Sequence, residues 1–105
     1  MSDLTWRTEE RPLSALVPFP ENPRHMTPEQ ETALTASLEK FNLVEIPAVN
    51  SDGTIIAGHQ RLAMLRKLGR ETVEVRMPSR PLTPEEVREY NIRSNANTGM
   101  WDASM

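Results

Sequence analysis

The chain has 105 residues, a formal net charge of −3 and no cysteine. That length fits one compact domain with a small core, and the missing cysteine excludes disulfides, a thiol nucleophile and a cysteine-based zinc site. The acidic balance argues against a protein that coats nucleic acid with a broadly basic surface. With no apolar run of membrane-span length and no signal-peptide core, the sequence reads as cytoplasmic with no membrane partner.

Residues 1–10 are polar and aperiodic and are expected to form a flexible N-terminal arm. Residues 12–17 suit a short first strand or an extended segment, after which Pro18, Pro20 and Pro23 forbid regular structure and stiffen the turn that carries Asn22 and Arg24. Thr27-Pro28-Glu29-Gln30 is a helix start with an N-cap threonine, a proline at the first helical position and a capping-box glutamine. Leu34, Leu38 and Phe41, with Ala33 alongside, then form one apolar stripe, and Asn42, tolerant of the left-handed conformation, ends the helix. Residues 44–49 are apolar enough for a strand, with Pro47 marking an edge or irregular start. Asp52-Gly53 signals a hairpin whose returning strand, residues 54–57, leads straight into Gly58.

A second helix follows, with Leu62, Leu65 and Leu68 on one side and Gly69 as its stop. Residues 72–77 alternate as a strand. Thr83-Pro84-Glu85-Glu86 repeats the earlier cap and opens a third helix with Val87, Tyr90, Asn91 and Ser94 on its inner face. The expected fold is α+β: a small mixed sheet with a β-hairpin, covered by about three helices. Residues 11–96 form the expected domain, and residues 97–105 read as a polar tail cut from a longer polypeptide.

Chemistry concentrates at Gly58-His59-Gln60-Arg61. A helix start offers unpaired N–H groups and the positive end of a dipole, which suits phosphate or carboxylate. Gly58 lets a ligand approach the backbone, His59 and Gln60 can donate to oxygens, and Arg61 can clamp a phosphate. Arg61 also breaks a local rule, because a cation in the first turn opposes the macrodipole. The bland alternative is a plain strand-to-helix turn, with Arg61 in a surface ion pair with Glu45 or Glu74. Asn22 and Arg24 are placed to close the site from the other side. Arg66, Lys67 and Arg70 read as a solvated face near the helix C-terminus. His25, His59 and scattered acids make no metal motif.

Asn22-Pro23-Arg24, Phe41-Asn42, Pro47-Ala48-Val49, Asp52-Gly53, Ile56-Ala57-Gly58-His59-Gln60-Arg61-Leu62-Ala63 and Leu68-Gly69 together resemble the ParB N-terminal-like domain, of the ParB/sulfiredoxin superfamily. The nearest type is the phage or bacterial ParB-like nuclease domain, found alone or ahead of DNA methyltransferase modules. The resemblance covers residues 11–95. It implies a phosphate or nucleotide site lined by Gly58, His59, Gln60, Arg61, Asn22 and Arg24. CTP or ATP with Mg²⁺ is the implied ligand, and DNA, a nucleotide or a methyltransferase-type module the implied partner. Sulfiredoxin has a cysteine after the glycine, where this chain has His59, so that activity is excluded. The leading expectation is a nucleotide- or phosphate-binding module of a DNA-associated protein, acting in DNA partitioning, modification or phage DNA metabolism. A metal-assisted DNA nuclease with His59 as acid or base, a nucleotide hydrolase, and an interaction domain with a decayed ligand site are the alternatives.

Overall fold

The computed structural model describes residues 3–21 and 25–104, with side chains as far as Ser94. Strand β1 spans Trp6–Pro12 and is followed by a single 3-10 turn, Leu13–Ala15. Helix α1 spans Pro28–Phe41, strand β2 Ala48–Val49, strand β3 Ile55–Ala57, helix α2 His59–Lys67, strand β4 Thr72–Pro78 and helix α3 Pro84–Ser104. The sheet order is β1-β4-β2-β3, with β2 parallel to β4 and the other pairs antiparallel. This is the expected mixed α+β sheet with three helices.

Alternation across the strands sorts the core into two clusters. Val73, Val75 and Met77 of β4 pack with Ile55, Leu38, Leu62 and Leu65 on the side of α1 and α2. Ile56, the next residue after Ile55, joins Ala48, Leu82 and Val87 on the side of α3, where Trp6 packs against them. The sheet is thus a middle layer between helices.

Local chemistry explains the helix boundaries. Thr27 Oγ1 accepts from the Gln30 N–H and the Gln30 side chain accepts from the Thr27 N–H, completing the expected box. Thr83 and Glu86 repeat it at α3, where Arg80 and the Thr83 N–H hold the Glu86 carboxyl down to about 2. Asn42 ends α1 at φ 64°. Gly69 ends α2 with the Arg70 N–H donating back to the Leu65 carbonyl, a Schellman arrangement.

Four expectations change. Residues 6–10 are not a loose arm but most of β1, which pairs with β4 along its whole length. The ladder stabilises a segment whose alternating charges suit a sheet edge. Residues 12–17 hold the 3-10 turn in place of a strand, with Val17 bridging Thr54 beyond it. Phe41 is 62 % exposed rather than part of the α1 core stripe, and its ring lies under Lys40 Nζ at 5.2 Å. Residues 97–104, expected as a tail, continue α3.

The basic cluster has specific partners. Arg66 donates to the carbonyls of Leu13 and Leu16 at 2.7 and 2.8 Å, Lys67 pairs with Glu31, and Arg70 donates to the Asn42 side chain. Arg66 thereby ties α2 to the backbone of the 3-10 turn and the residue that follows it, the Leu13 carbonyl also accepting from the Leu16 N–H.

Candidate functional site

The hairpin aims the chain at Gly58. The Asn50 N–H donates to the Thr54 carbonyl, the Gly53 N–H to the Asn50 carbonyl, and the Thr54 N–H to Asp52 Oδ1. Gly58 then takes φ 94°, ψ 23° as the N-cap of α2, with no side chain among the described residues capping the helix. A Cβ built there would stand 2.7 Å from Pro47 Cβ and 3.1 Å from its Cα. Both the backbone angle and the space at this turn therefore require glycine. Helices α1 and α3 carry threonine caps, whereas the first N–H groups of α2 have no side-chain cap among the described residues.

Beside this turn lies a cleft of about 320 Å³, lined by Gly58, Arg61, Arg76, Glu45, Trp6 and Tyr90 among others. Its floor follows the sheet register. Thr8 pairs with Arg76, Arg76 with Ala48, and Ala48 with Ala57, so two alanines leave open the space between the two arginines. Arg76 is fixed by a 3.0 Å bond from Nη1 to Thr8 Oγ1. Arg61 is ion-paired with Glu45, one of the two acids expected for it. Trp6 and Tyr90 close one wall, their ring centroids 6.2 Å apart and tilted by 41°. Two guanidinium groups, an uncapped helix start and an aromatic wall in one cleft suit a ligand with a polyanionic end and a flat ring.

The expected residues divide. Gly58 and Arg61 line this cleft. His59 lines a different one with Phe19 and His25. Its Nε2 accepts from the Phe19 N–H at 3.0 Å, and burial lowers its pKa to about 4. This geometry gives His59 a holding role: a neutral acceptor tying the proline-rich segment to α2. Gln60 lies along neither cleft, and its Nε2 is buried without a hydrogen-bond partner among the described residues. Asn22 and Arg24 fall outside the described residues. Among the described residues no three His, Cys, Asp or Glu side chains come together as metal ligands.

Arg76, Trp6 and Tyr90 join the cleft without having been among the expected site residues. The alternation of residues 72–77 puts Arg76 on the face opposite Val75, but its neighbours come from other strands. Trp6 was hidden in a segment with no hydrophobic period.

The His59 geometry predicts acid sensitivity. A histidine whose folded pKa lies below its unfolded value of about 6.5 contributes stability that is present above that value. The contribution is lost progressively as pH falls from about 6.5 to about 4. Urea unfolding at pH 7 and pH 4.5 should show a loss on acidification that shrinks in His59→Gln. An equal loss in both proteins would mean that His59 carries none of it.

The chain is 34 % identical over 65 residues to the ParB-like nuclease domain-containing protein YnaK of Escherichia coli (strain K12), across 62 % of this chain and 75 % of that protein. No family model matches. Among solved structures, the C2221 form of the Pnob8-like ParB-N domain superposes with a TM-score of 0.72 at 19 % identity, covering 93 % of this chain and 39 % of that one. Caulobacter crescentus ParB complexed with CTP-gamma-S gives 0.73 at 23 % identity, over 87 % and 53 %. The same organism's ParB complexed to the centromeric parS site gives 0.64 at 26 %, over 84 % and 46 %. The chain spans about half or less of each of these three structures.

Proposed function

The chain belongs to the ParB-like domain family, and from that premise we propose that it is a nucleotide-binding module of a DNA-associated protein, holding the phosphates of CTP or ATP in the cleft beside Gly58. The observation that carries this reading is the convergence of Arg61, Arg76 and the uncapped start of α2 on one open space. Backbone N–H groups and guanidinium forks are the donors that phosphate oxygens prefer. Trp6 and Tyr90 offer a surface for the base. Mg²⁺ would enter with the nucleotide, chiefly on phosphate oxygens. The solved CTP-gamma-S complex of a ParB with this fold supports the choice of ligand. With a net charge of −3, DNA is engaged through a partner module, such as a methyltransferase, in the cytoplasm.

Thermal melting tests this. A nucleotide at 100 times its dissociation constant adds about 2.7 kcal/mol, which for a domain of this size raises Tm by about 10 °C. CTP or ATP with Mg²⁺ is expected to give that shift in the wild type and little of it in Arg61→Ala. The substitution itself should cost about 1 kcal/mol or less, because the Arg61–Glu45 pair is exposed. A shift of equal size in Arg61→Ala, or none with any nucleotide, contradicts the reading.

A further inference from the structure

Arg61 stands in the first turn of α2, where the helix dipole disfavours a cation. Its guanidinium Nη2 is held by Glu45 Oε2, from the loop between α1 and β2. Glu45 lines the same cleft, its side chain is 72 % exposed, and Arg61 is its hydrogen-bonding partner among the described residues. Arg76, across the alanine floor, has Thr8 as a partner in place of an acid. Among the described residues the cleft therefore holds two guanidinium groups against one carboxylate, and that carboxylate sits on the guanidinium nearest the helix start.

We propose that Glu45 is the resident anion of the cleft: it occupies Arg61 until a polyphosphate displaces it, and so sets the affinity of the site. The inference rests on the nucleotide reading and adds its regulation. An exposed ion pair is a weak contact that many water molecules can replace, so a ligand bearing several charges and reaching both arginines can displace it. A single carboxylate or monoanion gains little over Glu45 itself. Once displaced, the Glu45 carboxylate still repels the bound anion at short range, which lowers affinity further.

Calorimetric titration with inorganic pyrophosphate tests this in the wild type, Glu45→Gln and Glu39→Gln. The last removes the same charge from α1, outside the cleft. Glu45→Gln is expected to bind pyrophosphate about threefold to fivefold more tightly, with and without Mg²⁺. The gain should shrink at high salt, and Glu39→Gln should match the wild type. Wild-type binding that Glu45→Gln leaves unchanged overturns the role of Glu45 alone. Weaker binding by Glu45→Gln in Mg²⁺ also overturns it, because the carboxylate would then be helping to hold the ion. Absence of binding to both wild type and Glu45→Gln overturns the anion site together with this inference.

Discussion

Replacing Gly58 by alanine is expected to destabilise the fold by about 3 kcal/mol and to weaken nucleotide binding in the protein that remains folded. Two costs add. The residue sits at φ 94°, where an L side chain pays about 1–2 kcal/mol. The new Cβ would also fall 2.7 Å from Pro47 Cβ, a ring that cannot rotate aside, so the loop or α2 must shift. Gly69 separates the two terms. It too has a positive φ, 82°, but nothing lies within 4 Å of a Cβ built there. Gly69→Ala should therefore cost about 1 kcal/mol, the backbone term alone. Urea midpoints of the two variants measure the difference directly. Equal losses would show that Pro47 yields and that the close approach at Gly58 does not matter.

Asn50→Ala is expected to cost a similar amount, about 3 kcal/mol. Asn50 is 6 % exposed. Its Nδ2 donates to the Leu82 carbonyl at 3.1 Å, and its Oδ1 accepts from the Leu82 and Ser51 N–H groups at 2.9 Å each. Truncation leaves both backbone groups of the buried Leu82 unpaired, at about 1–3 kcal/mol per group. The same contact fixes the approach to α3, which carries Tyr90 and Ser94 to the cleft, so nucleotide affinity should fall as well. Asn50→Asp sharpens the test. An aspartate would place a carboxylate oxygen against the Leu82 carbonyl, so it should be worse than alanine at pH 7. It should improve as pH falls toward 4, where the neutral acid regains a donor. A variant whose stability ignores pH, or an alanine that unfolds at the wild-type midpoint, would remove Asn50 from this role.

What could be read from the sequence was local. The two threonine caps, Asn42 and Gly69 as helix ends, and the alternation of β4 depend on neighbours within a few residues, and the structure has them where expected. The Gly58 turn was legible for the same reason. Strand β1 was not, because Trp6–Pro12 has charges on both faces and is held as a strand by its ladder with β4, whose partners run from Pro78 opposite Trp6 to Thr72 opposite Pro12. The candidate site was legible by half. Gly58 and Arg61 belong to one turn, whereas Arg76 and Trp6 reach it through sheet register. His59 looked like a donor beside them. Yet adjacent residues at a helix start point about 100° apart, and its ring turns instead to the Phe19 N–H.

Amide chemical shifts during titration with CTP and Mg²⁺ test whether a nucleotide binds beside Gly58 and Arg61. The predicted result is saturable movement of the Gly58, His59, Gln60 and Arg61 amides together with the Trp6 indole, absent in Arg61→Ala. Shifts confined to the Phe19 and His25 side of the molecule, or no shifts at millimolar CTP, would contradict it.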